Sequence, residues 1–246
     1  MIASAAASTA PAATLQASTP AEPPIRDLPS PNWDARPDAA PVDMLILHYT
    51  GMQSAQAALD RLRDPAARVS SHYVVDEDGA VWRLVAEQRR AWHAGVSHWR
   101  GHATLNDRSV GIEIVNPGHE WGYRPFPALQ MAAVCDLCLA ILGRHPIPAR
   151  NVVGHSDVAP DRKQDPGELF DWPGLAASGV GLWPGPTAEL GLVGDVPGAL
   201  RAIGYDDGDP AATLRAFQRH WLPDAVTGHA DAATQARLHA VLAAMA

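Results

Sequence analysis

Met44-Leu45-Ile46-Leu47 is an uninterrupted apolar run closed by His48-Tyr49-Thr50, which predicts a buried strand with a polar end. Residues 54–64 place Ala57, Ala58 and Leu62 opposite charged positions, and Pro65 follows, so an amphipathic helix with a stop is expected. Residues 71–75 and 80–85 flank Asp76-Glu77-Asp78-Gly79, the pattern of a hairpin around a turn. Residues 110–115 form a further strand. Residues 129–142 form the longest helix, with Met131, Val134, Leu137 and Ile141 on one stripe. Asn151-Val152-Val153 reads as a strand running into a loop at Gly154-His155. Helices and strands thus mix over residues 41–180, which predicts an α/β domain built on one mixed central sheet flanked by helices.

The two ends of the chain differ from this middle. Residues 1–30 are rich in Ala, Pro, Ser and Thr, and the first basic residue is Arg26. Neither the basic start nor the apolar core of a secretory signal is visible, so the stretch reads as a flexible tail. Residues 31–181 then form the main domain. Residues 182–191 have many Gly and Pro and no period, and read as a linker. Residues 192–246 carry Leu214, Phe217 and Trp221, then Leu238, Val241, Leu242 and Met245, at helical spacing. A helical module of that size has a marginal core alone, so packing on the main domain is expected.

Composition narrows the function. The 246 residues are 47% hydrophobic and 19% charged, ordinary globular values, and no apolar run is long enough to span a membrane. A net charge of −8 disfavours a nucleic-acid partner. The only cysteines, Cys135 and Cys138, lie one turn apart in a helix, so they suit neither a disulfide nor a cysteine-rich zinc cage and read as buried apolar residues. Every basic residue but Lys163 is arginine, the outcome of a codon bias that makes the surviving lysine a candidate for a site that cannot take a guanidinium.

Three polar residues sit where apolar strands end: His48, His155 and, ten residues later, Asp165. Two imidazoles and a carboxylate are a common ligand set for a catalytic zinc, with the fourth position open. Each imidazole is equally compatible with an ordinary core or loop residue. Glu113 alternates with Ile112 and Ile114, so it is either a carboxylate facing a cleft as a general base or one in water on an edge strand. The segment from Ala91 to Trp99 gathers aromatics and imidazoles. It reads as a ligand-stacking surface or as a loop with its tryptophans buried.

Taken together, Leu45-Ile46-Leu47-His48-Tyr49-Thr50, Ser70-Ser71-His72-Tyr73-Val74-Val75, Arg90-Ala91-Trp92-His93-Ala94-Gly95, Ser109-Val110-Gly111-Ile112-Glu113-Ile114, Gly154-His155-Ser156-Asp157-Val158-Ala159-Pro160 and Arg162-Lys163-Gln164-Asp165-Pro166-Gly167 resemble the zinc-dependent type-2 N-acetylmuramoyl-L-alanine amidases, which include phage amidase-lysozymes and the bacterial AmpD and AmiD enzymes. The tail motifs Leu200-Arg201-Ala202-Ile203-Gly204-Tyr205 and Ala216-Phe217-Gln218-Arg219-His220 are similar to the small three-helix peptidoglycan-binding module that AmiD-type enzymes carry. The resemblance implies one zinc ion on His48, His155 and Asp165, with Glu113 and Lys163 catalytic. It also implies substrate contacts from Trp92, His93 and Asn116. The expected reaction is hydrolysis of the amide joining N-acetylmuramic acid to L-alanine of the stem peptide. Peptidoglycan or a muropeptide is the partner implied, and no protein partner is. The alternatives are a peptidoglycan-recognition protein without hydrolysis and a zinc peptidase acting within the stem. The binding module points to the periplasm or cell envelope, and the lack of a visible signal points to the cytoplasm.

Overall fold

The computed structural model describes residues 23–38, 40–185 and 191–246. Its central sheet has six strands: β1 (Ile25–Asp27), β2 (Met44–Tyr49), β3 (Tyr73–Val75), β4 (Val81–Arg83), β5 (Ser109–Ile114) and β6 (Val152–Gly154). Their spatial order is β1-β4-β3-β5-β2-β6. The β3–β4 hairpin is antiparallel and the other pairings are parallel, so the sheet is mixed as expected. Gly79 takes the hairpin turn at φ +85°, where a β-carbon would be strained.

Both faces of the middle strands are covered, which is why β2 reads as one apolar run rather than an alternation. On one face Leu45, Leu47, Val110, Ile112 and Ile114 pack against helix α2 (Ala128–Arg144), which buries Val134, Leu137 and Ile141. Each such side chain contributes roughly 1.5–3 kcal/mol on burial. The other face is shared. Helix α1 (Ala55–Arg63) brings Leu59 and Leu62 against Val74. Its first turn is capped by Ser54, whose Oγ accepts from the Ala57 N–H at 3.2 Å. Two short helices, α3 (His155–Val158) and α4 (Trp172–Ala177), follow β6.

The chain closes with three helices, α5 (Val196–Ile203), α6 (Pro210–Trp221) and α7 (Ala232–Met245). Asp195, Asp209 and Asp231 each cap one of them. These helices do not form a separate core. Leu200, Ile203, Phe217 and Leu238 pack in one cluster with Met44, Ile46, Val153 and Val158 from the sheet side. A three-helix unit of this size gains by borrowing the apolar face that β2 and β6 present.

Two expectations need correction. The tail assigned to residues 1–30 ends earlier, because β1 pairs in register with β4 and the Ser30 N–H donates to Leu84 O at 2.8 Å; residues 1–22 lie outside the described residues. Within the stretch read as a linker, 182–191, Trp183 stacks on Trp221 with centroids 6.0 Å apart; residues 186–190 lie outside the described residues. After Gly154 the chain turns directly into α3 instead of a loop, because the Asp157 carboxylate accepts from the Gly154 N–H at 2.8 Å.

Candidate active site

Register decides what meets. Paired residues on parallel strands project to the same face, and His48 lies opposite Glu113 while Gly154 lies opposite Leu47. Glu113, His48 and His155 therefore emerge together at the carboxyl ends of three adjacent strands, where open α/β sheets place their ligands. Asp165 is brought back to them by the loop after α3, whose carbonyl accepts from the Ser156 N–H at 2.8 Å.

The result is a nearly equilateral triangle. His48 Nδ1 is 2.9 Å from His155 Nδ1 and 3.1 Å from Asp165 Oδ2, and the third edge is 3.0 Å. All three residues are buried, and among the described residues this is the group able to hold a metal ion. The chemistry of the donors fits a divalent ion. One proton bridges two of these atoms at most, whereas a cation takes a lone pair from each. Donors at zinc bond lengths in tetrahedral arrangement stand about 3.3 Å apart, close to the edges observed. Burial first, then the neighbouring His155, pushes His48 down to about 4, so the ring is a neutral donor at pH 7. Burial alone would raise Asp165, but the two imidazoles outweigh it and hold the carboxyl far below its usual range. The outer nitrogen of His155 is 3.1 Å from the Ala94 carbonyl, so it carries a proton and donates.

Glu113 stands on the central strand β5, so its edge-strand alternative is excluded. Its Oε2 is buried without a hydrogen-bond partner. Burial, with the charge of Asp165 added, raises this carboxyl well above 4.5, while Lys163 opposes the shift. Glu113 and Lys163 line one open cleft of about 730 Å³ with His155 and Asp165. Leu62 and Val69 form part of its apolar wall, and Trp92 stands on it with its Nε1 donating to Asp34 Oδ2 at 2.7 Å.

Asn116 is buried. Its Nδ2 donates to Arg124 O at 2.8 Å and its Oδ1 accepts from the Gly118 N–H at 3.0 Å, so its amide shapes the turn after β5. His93 borders the cleft but is 8% exposed, and both its ring nitrogens are within hydrogen-bond reach of protein atoms. Sequence reasoning missed a polar wall at the mouth. His119 is 3.0 Å from the Tyr49 hydroxyl and 3.1 Å from Glu168, with Tyr123 stacked on its ring. These residues come from three separate segments, around Tyr49, His119 to Tyr123 and Glu168, so only the fold connects them.

Comparison with known proteins gives the family. Residues 38–168 match the N-acetylmuramoyl-L-alanine amidase family model. The chain is 39% identical over 230 residues to N-acetylmuramoyl-L-alanine amidase AmiD of Escherichia coli K12, covering 82% of each. The chain belongs to the N-acetylmuramoyl-L-alanine amidase family. To 1,6-anhydro-N-acetylmuramyl-L-alanine amidase AmpD of the same organism this amidase is 36% identical over 164 residues, 60% of its own length and 87% of AmpD. The structure of E. coli AmiD with anhydro-N-acetylmuramic acid-L-Ala-D-γ-Glu-L-Lys matches with a TM-score of 0.74 at 36% identity, over 85% of this chain and 92% of that one. The AmpDH3 structure from Pseudomonas aeruginosa matches with a TM-score of 0.73 at 35% identity, over 81% and 91%. The central mixed sheet with flanking helices is the amidase fold of these relatives.

Proposed function

We propose that this amidase hydrolyses the amide between N-acetylmuramic acid and L-alanine with one zinc ion held by His48, His155 and Asp165. The observation that carries the assignment is the triangle of donors beside an unpartnered carboxyl oxygen of Glu113 in one cleft. A zinc ion there supplies Lewis acidity for attack of water on an amide. Glu113, kept proton-hungry by burial, takes a proton from the attacking water on Oε2 and returns it to the leaving amine of L-alanine. Lys163 faces the developing negative charge on the amide oxygen with a compact ammonium. Trp92 offers a ring edge to the sugar or stem. The substrate class is murein and its muropeptide fragments; AmiD in the matched complex holds an anhydro-muropeptide, anhydro-N-acetylmuramic acid-L-Ala-D-γ-Glu-L-Lys.

Helices α5 to α7 serve as the peptidoglycan-holding module. With a helical murein binder fused to the catalytic cleft, the cell envelope or periplasm is the working compartment. No helix among the described residues is long and apolar enough to cross a membrane.

Mass spectrometry tests the reading. Zinc-loaded protein given soluble anhydro-muropeptide should release the intact stem peptide and the intact sugar. A shortened stem would make it a peptidase instead, and an unchanged substrate would leave only recognition. Sedimentation of a Glu113→Gln variant with intact sacculi tests the binding module.

A further inference from the structure

His48 can present Nδ1 to a metal ion only if its single ring proton sits on Nε2. A carbonyl or a carboxylate behind the ring usually holds that proton. Here the group behind His48 is another imidazole, which can donate as well as accept, so something further must set the direction.

Ser109 supplies it. Its hydroxyl donates to the Leu105 carbonyl at 2.7 Å, and a carbonyl can only accept. Toward His93, Ser109 Oγ is therefore an acceptor, 3.2 Å from Nε2, and the proton of His93 lies on Nε2. His93 Nδ1 is then an acceptor, 3.0 Å from His48 Nε2. His48 must donate from Nε2, which leaves Nδ1 bare at the triangle shared with His155 and Asp165.

We infer that Ser109 and His93 are a tautomer relay for His48, positioning residues that hold its Nδ1 lone pair toward the metal site. A second observation supports this. A β-carbon at Gly111 would stand 2.5 Å from His93 Cγ and Nδ1, so the glycine of Val110-Gly111-Ile112 is the space the relay ring occupies. His93 is also fixed from its own backbone. Asn106 Oδ1 accepts from the His93 N–H at 3.2 Å and from the Ala94 N–H at 2.8 Å. The same dipeptide thus serves both imidazole ligands, His93 by its ring for His48 and Ala94 by its carbonyl for His155. Neither acceptor carries a negative charge, so the ligand set at the ion keeps the single charge of Asp165.

The inference rests on the metal reading above, and the test separates the two. In the metal-free chain labelled with ¹⁵N-histidine, long-range ¹H–¹⁵N correlation should show His48 protonated at Nε2 alone. His93→Phe keeps the ring volume and removes the acceptor, and zinc affinity by chelator competition should fall about 10- to 100-fold. His93→Asn places an amide oxygen near the lost Nδ1 and should recover most of that loss. Ser109→Ala, a smaller change, should leave His48 as a mixture of tautomers. Parent-like zinc affinity in folded His93→Phe, or a His48 proton on Nδ1 in the parent, would overturn the relay. If His93→Phe does not fold, Ser109→Ala decides alone, and an unchanged single Nε2–H tautomer there sinks the proposal. His48→Ala is the control for the metal reading: unchanged zinc affinity in that variant rejects the metal site itself.

Discussion

The imidazole of His220 donates from Nδ1 to Asp157 Oδ2 at 2.7 Å, joining the C-terminal helix α6 to the helical turn that carries His155, a member of the proposed metal site. Asp157 is fully enclosed and takes two further hydrogen bonds, from the Tyr205 hydroxyl at 2.6 Å and from the Gly154 N–H at 2.8 Å. The His220 ring is stacked between Trp172 and Trp221, with centroids 3.8 and 3.9 Å away. The carboxylate that caps α3 is thus satisfied largely by the C-terminal helices, and the active-site scaffold is not complete without them.

Tyr205→Phe removes one donor from that buried carboxylate and should cost on the order of 1–3 kcal/mol of stability. Urea unfolding measures this. Chelator competition should also show weaker metal retention, because α3 positions His155. Unchanged stability and unchanged retention would mean the joint between the helices and the site carries no load.

Glu113→Gln keeps the size of the side chain and removes its base. Turnover of anhydro-muropeptide should fall by about 100-fold or more, with zinc stoichiometry unchanged by atomic absorption. His155→Ala should lose both zinc and activity, and a chelator should reproduce that loss in the parent until zinc is restored. Loss of zinc in Glu113→Gln would make Glu113 a ligand rather than a proton carrier.

Lys163→Arg keeps the charge but replaces a compact ammonium with a planar fork. Activity should drop at least about tenfold, since the two cations present their donors differently. Equal activity would remove Lys163 from the mechanism, whatever its place on the cleft wall.

Acid stability should depend on Glu87. Burial alone would raise its carboxyl, but hydrogen bonds from Arg144, Tyr73 and His145 outweigh it and hold it at about 2, against 4.5 for an unhindered glutamate. A depressed folded value stabilises the fold above pH 4.5, and the contribution is lost as pH falls from 4.5 toward 2. Glu87→Gln should therefore flatten the slope of unfolding free energy in that window, measured by urea titrations at stepped pH. An unaltered slope would place the acid sensitivity elsewhere.

The strong periods were legible. The stripe of α2, the run of β2 and the hairpin at Gly79 each extend over enough residues for packing demand to show in the pattern. β1 was not legible, because three residues, Ile25 to Asp27, are too few to carry a period and their pairing partner lies at Val81–Arg83. Glu113 was ambiguous because an alternating strand looks the same at the edge of a sheet and at its centre; the flanking strands β2 and β3 decide between them. Asn116 was assigned to substrate on resemblance alone, and no sequence window showed that its amide bonds to Arg124 and Gly118.

By itself the sequence determined residue types and local shape: two imidazoles and an aspartate at strand ends, one lysine, and helices and strands in family order. Those are properties of short windows, where neighbouring side chains dictate backbone preference. Only the tertiary structure decided that the three donor atoms stand 2.9–3.1 Å apart, and that the His93 ring stands behind His48. It also decided which part of the sheet's second face the terminal helices cover, beside helix α1. Such relations depend on register and on what fills the space between distant segments, and no local preference encodes either.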